Sequence, residues 1–217
     1  MVKEIGKSTR LNVIDRDKIS AAIREAEKKT SGEIFAIFTK ESDSYFFISF
    51  FVWTAAVFFI SIAVAFGLHW GWHDVPLHYF ALATLIIHLL GLFYLSVIPV
   101  LRLAITPTVI KKHVCHDNAI KQFLAQNINH TKKRTGILLF ISLAEHYAEV
   151  IPDSKISDKV PFETWTSIVD EMIKKARNKD LTGAYIEAIE KSGNILSNYF
   201  PVEKNTKNEL PDHIIEI

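Results

Sequence analysis

No lysine or arginine occurs between Lys40 and Arg102, in a chain whose residues are 23% charged. A gap of that length is not ordinary solvated surface. Cysteine is nearly absent too: Cys115 stands alone, which excludes an intramolecular disulfide framework and any CxxC site. Neither charge sign is in excess, with 25 Lys and Arg against 24 Asp and Glu, so nothing argues for a nucleic-acid partner or an acidic substrate. The eight glycines build no phosphate loop and no dinucleotide fingerprint, and no nucleophile elbow or HExxH motif occurs. A signal peptide is not expected either. The first apolar run begins only at Tyr45, and no small-residue cleavage site follows it before the next loop.

Two apolar runs fill the cation gap: Tyr45–Leu68 (residues 45–68) and Leu77–Leu101 (residues 77–101). At about 1.5 Å per residue each helix would be roughly 36 Å long, and a hydrocarbon core of about 30 Å needs roughly 20 residues. Each run can span a bilayer. The linker of residues 69–76 is too short for a domain, so a transmembrane hairpin over 45–101 is expected. Lys28, Lys29 and Lys40 precede it and Arg102, Lys111 and Lys112 follow it, whereas the loop carries no cation. This bias places both termini in the cytoplasm of a multi-pass bacterial inner-membrane protein, with residues 69–76 outside.

The remainder is enough for one modest soluble domain. A helix over Asp15–Lys29 buries Ile19, Ala22, Ile23 and Ala26 at helical spacing. The uniformly apolar Glu33–Thr39 reads as a strand buried on both faces. Beyond the hairpin come a helix ending near Asn129, a second central strand at Ile137–Leu143, and a half-buried strand at His146–Ile151. Pro161 opens a helix with Phe162, Trp165, Val169 and Met172 inward, and the last helix carries Tyr185, Ile189, Leu196 and Phe200. A polar tail over residues 201–217 is expected to be loosely held. One strand and one helix cannot fold alone. Residues 1–44 and 102–200 are therefore read as two parts of one domain: an α/β sandwich, a small mixed sheet flanked by helices, interrupted by the hairpin. The first two strands should be parallel and the last two antiparallel.

Several stretches resemble the TPM domain family, in its bacterial branch with a transmembrane hairpin. They are Thr30-Ser31-Gly32-Glu33-Ile34, Phe123-Leu124, Thr131–Leu143, Leu143-Ala144-Glu145-His146-Tyr147, the Asp153–Ile156 turn, Trp165 and Tyr199-Phe200-Pro201. The resemblance implies an α/β sandwich between helices. It also implies a family in which acid phosphatase activity and calcium binding are ascribed to members of photosynthetic membranes, and which includes an animal receptor modulator. The phosphatase-like members carry a glycine-rich acidic turn after the third strand. Here that turn is Pro152-Asp153-Ser154-Lys155-Ile156, with a cation where glycine would let backbone approach a ligand.

Asp153 and Asp158 follow an edge strand, where two carboxylates could hold calcium. A hard cation usually takes six or more oxygens, so turn and cap chemistry is the expected role. Arg134 could hold a phosphate or carboxylate, or could pair with Glu33 or Glu145 to orient strand ends. His69, His73, Asp74 and His78 are metal-capable loop groups, but their spacing fits no zinc motif and suits a membrane interface. His113, Cys115, His116 and Asp117 supply no evident third ligand, and His88 in the second run is expected to bond Thr54 or Ser61. The expected function is a non-catalytic interaction or modulator module for membrane proteins, in contact with the bilayer and without a cofactor. A metal-assisted phosphatase or related hydrolase built on Asp153, Asp158 and Arg134 is the alternative. A small oligomeric transporter or channel component ranks third, because two spans alone line no pore.

Overall fold

The computed structural model describes residues 13–71, 75–202 and 209–217, with side chains from Arg16 onward. Their elements are α1 (Val13–Glu27), β1 (Glu33–Thr39), α2 (Phe46–Trp70), α3 (Leu77–Val97), α4 (Pro99–Ile105), α5 (Thr108–Ala125), β2 (Gly136–Ser142), β3 (Tyr147–Pro152), α6 (Ser154–Ser157), α7 (Glu163–Arg177), α8 (Leu181–Tyr199) and β4 (Ile215–Glu216). The chain divides into two compact units. One is Met1–Ser42 with Cys115–Ile217; the other is Asp43–Val114.

The first unit is a four-stranded mixed sheet in the order β3-β2-β1-β4, flanked by helices. β1 and β2 run parallel, Glu33 opposite Gly136 through Thr39 opposite Ser142. β2 and β3 are antiparallel, Ile137 opposite Pro152 through Ser142 opposite Tyr147. β1 and β2 are buried along their whole length. This follows from sequences in which both alternating sets are apolar. Ile34, Ala36 and Phe38 pack with Ile137, Leu139 and Ile141 under α1, α7 and α8, where Ile23, Trp165 and Tyr185 complete the larger core. Phe35, Ile37, Leu138 and Phe140 face the other way, against Ala119 and Phe123 of α5 and against Ile128 and Leu210.

Two sequence expectations are corrected in this first unit. The tail of residues 201–217 is not loose over its described part. Ile215 and Glu216 pair parallel with Ile37 and Phe38, and Leu210 and Ile214 are buried. The Glu33 carboxylate accepts the backbone N–H groups of Glu209 and Leu210, both at 3.3 Å. The edge of β1 would otherwise present unpaired backbone groups, and this segment covers part of it. The second correction concerns Phe162, which is 74% exposed. It is the N-cap residue of α7, one position before the helical spacing begins to direct side chains inward.

The second unit holds α2 and α3, both long and apolar enough to cross a membrane. Only 6% of each apolar window is buried, and Phe47, Phe51, Phe66 and Leu77 are open. A helix of a water-soluble core would bury such residues. The two helices meet at Gly91, where an added Cβ would lie 2.1 Å from the Trp53 ring. The Trp53 indole N–H donates to the His88 carbonyl at 3.4 Å. Ser61 turns back to Phe58 of its own helix rather than to His88.

The second apolar run is not one helix to Leu101. It breaks at Ile98, which is extended because the ring of Pro99 excludes the helical conformation from the residue before it. Arg102 then bonds the carbonyls of Leu95 (2.7 Å) and Ser96 (2.8 Å), acceptors that the break leaves without helical partners.

Candidate functional site

The β3–α6 corner brings together two of the three candidate ligand residues, Asp153 and Arg134. The Asp153 N–H closes the ladder onto the Gly136 carbonyl at 2.8 Å. Its carboxylate caps α6, with Oδ1 accepting from the Ser154 N–H at 2.6 Å. Arg134, in left-handed backbone at φ 55°, places Nη1 3.7 Å from the same Oδ1. Asp153 is only 4% exposed, and its Oδ2 has no hydrogen-bond partner among the described residues. The cation at this carboxylate is thus Arg134, while Lys155 lies exposed on α6. Asp158 is exposed at the far end of α6 and does not join the pair.

The acid that Arg134 meets is Asp153. Glu33 serves the C-terminal segment, as described above. Glu145 accepts from the Ser42 N–H at 2.9 Å and from the Ser142 hydroxyl, with Ser42 Oγ 3.0 Å from Ser142 Oγ. This Ser–Ser–Glu knot ties the end of β1 to the β2–β3 turn. Ser142 is wholly buried and reaches no solvent. The serine and glutamate stand three residues apart, a local spacing that sequence reading passed over.

In the His113–Asp117 segment, two side chains have a defined setting. Cys115 is buried. His116 Nδ1 meets Glu149 Oε1 at 2.8 Å, and the Tyr147 hydroxyl donates to the other Glu149 oxygen at 2.9 Å. Burial and the adjacent Glu149 carboxylate raise the Tyr147 pKa well above the ordinary phenol value. The three side chains bind α5 to β3. His69 and His78 are exposed, whereas His73 and Asp74 lie outside the described residues. Among the described residues, no group of three or more His, Cys, Asp and Glu side chains is placed to hold a metal ion.

A third polar cluster lies at the N-terminal end of β1. Glu27 accepts from the Ile34 N–H at 2.8 Å. Burial, then the neighbouring Glu33 and Asp212, push its pKa up to about 8. Burial raises Glu33 as well. The Arg24 Nε donates to Asp212 at 3.1 Å. Sequence reading missed this cluster because Glu27 and Asp212 are far apart in the chain and neither belongs to a motif.

The fold and the corner define a class: a small mixed α/β sandwich assembled from both sides of an apolar helical pair, with one buried, arginine-paired aspartate after its third strand. The TPM domain family model matches residues 100–195. Among solved structures, the chain is similar to the NMR structure of the BA42 protein from the psychrophilic bacterium Bizionia argentinensis. The TM-score is 0.58 at 19% identity, covering 100% of this chain and 98% of that one. That likeness concerns the fold. No curated protein matches the chain.

Proposed function

We propose that this protein is a membrane-anchored TPM domain that acts by binding other membrane proteins rather than by catalysis. The observation that carries the reading is the pairing of an open apolar helix pair with a corner whose acid is already engaged. α2 and α3 offer the bilayer two largely uncovered apolar surfaces. Asp153 is capped by Ser154 and neutralised by Arg134, and Asp158 is turned away. Residues 13–42 and 115–202 together then form the TPM domain, with the helical pair as its anchor in a bacterial inner membrane.

Both termini are expected in the cytoplasm. Cysteine labelling of a C115S background, with new cysteines at Ser8, Trp72 and Lys207, reads this directly. A membrane-impermeant reagent applied to intact cells should reach position 72 alone. Labelling of positions 8 and 207 from outside overturns the orientation.

One observation favours the second reading, a metal-assisted phosphatase: the buried Asp153 Oδ2 has no partner among the described residues. A cation there would meet Arg134 within the same corner, and like-charge repulsion opposes it. The full chain in detergent is expected to bind calcium weakly by calorimetry and to leave a generic phosphomonoester unhydrolysed. Tight calcium binding, with turnover lost in Asp153→Asn, would replace the interaction reading with the enzymatic one.

A further inference from the structure

The helical pair ends in cations that no acid answers. From Val75 to His116 the chain has no Asp or Glu, yet it carries Arg102, Lys111 and Lys112. The Arg102 guanidinium donates to the Leu95 and Ser96 carbonyls, and its Cζ lies 5.5 Å from the centre of the Phe46 ring. Lys111 Nζ donates to the Leu103 carbonyl at 3.2 Å. Lys112 is exposed and bonds nothing among the described residues. Carbonyls and a ring orient a cation but leave its charge uncancelled. The α/β unit is different: there Arg16, Arg24, Arg134, Lys175 and Lys191 each meet a carboxylate. Beside the unanswered cations lie open apolar side chains, with Val97 60% exposed, Val100 76% and Val109 77%. Val100 and Ala104 lie open one turn apart on α4, and Val109 shares an exposed face of α5 with Lys112.

Phe46 opens α2, while Leu95 and Ser96 lie in the last turn of α3. The Arg102 contacts therefore gather all of them at one end of the pair. A guanidinium is excluded from hydrocarbon, and open apolar side chains are driven from water. Both are satisfied at the boundary between acyl chains and headgroups. We propose that residues 97–112 form a seat for anionic phospholipid, a reading that rests on the membrane anchoring proposed above. Val97, Val100 and Val109 enter the acyl boundary, and Arg102, Lys111 and Lys112 take lipid phosphates. The seat continues the open apolar surface of α2 and α3, so the bilayer that receives those helices also fills it. A zwitterionic headgroup brings its own cation and leaves the three charges uncancelled. A headgroup of net negative charge cancels them, and the flexible lysine stems let the ammonium groups reach it.

Electron paramagnetic resonance of spin-labelled lipids tests this on the full chain in phosphatidylcholine vesicles. Labelled phosphatidylglycerol should associate severalfold more strongly than labelled phosphatidylcholine, and about 0.5 M salt should shrink the preference. Lys111→Gln combined with Lys112→Gln should lose most of it. Lys112→Gln alone, which breaks no bond, should lose part, whereas Lys28→Gln combined with Lys29→Gln should keep it. In a C115S background, a nitroxide at position 100 should be more accessible to oxygen than to a water-soluble nickel chelate, and one at position 112 the reverse. Equal association of the two lipids overturns the proposal. So does a preference that survives the double substitution at 111 and 112, or a nitroxide at position 100 that favours the chelate. A chain that alkaline carbonate strips from native membranes overturns the anchoring itself. One that stays in the membrane without a lipid preference overturns the seat alone.

Discussion

Replacing residues 43–114 with a flexible glycine–serine linker should move the protein from the membrane fraction into solution, where it melts in one cooperative step. Every buried residue of α5 lies from Cys115 onward: Cys115, Ala119 and Phe123. The cut therefore removes none of that helix's contribution to the core. β1 bonds only β2 and β4 within the sheet, so residues 13–42 gain their structure from the other side of the excision. Loop closure grows slowly with length, costing only about 0.6 kcal/mol per doubling, so a linker of moderate length should not limit stability. The checks are fractionation, gel filtration and a thermal scan read by both near- and far-ultraviolet circular dichroism. A product in which residues 115–217 melt as before while β1 amides exchange freely would show that the first segment is not part of the domain.

Trp165→Ala should lower the stability of the same soluble unit by about 3–5 kcal/mol. Trp165 is 1% exposed and packs in the core over β2 and β3, with Ile168 and Met172 of its own helix. Truncation there removes a large apolar surface and leaves a cavity that the rigid sheet cannot refill. Phe162→Ala, one turn earlier in sequence but open to solvent, should change stability by less than about 0.5 kcal/mol. Urea titration of the two variants measures both. Equal effects would contradict the helix orientation.

That contrast shows where sequence reading succeeds and where it stops. Glu33–Thr39 is legible to the residue because an uninterrupted apolar run of strand length, bounded by polar residues, leaves few alternatives. Trp165, Tyr185 and Leu196 follow from helical spacing. Phe162 fails because spacing says which residues share a face, not where the helix begins. β4 escaped for a different reason. Two paired residues near an acidic tail carry no periodic signal, and what fixes them is a set of partners on α1 and β1 far away in the chain. The Asp153–Arg134 pair was half legible. Both residues stood out, yet their pairing did not, since the left-handed backbone of Arg134 leaves no trace in composition.

The in-register, parallel pairing of β1 with β2 places a rule of parity on everything inserted between them. Seven successive residues of each strand lie side by side, so both strands must occupy the same aqueous compartment. A chain that crosses a bilayer after Thr39 must cross back before Gly136. Under the anchoring proposed here, one membrane helix would strand the halves of the sheet on opposite sides, and three would do the same. A pair is the smallest insertion that the sheet tolerates, and α2 and α3 are two. An engineered chain given a third span in this interval should thus fail to assemble its domain, however well the added helix inserts.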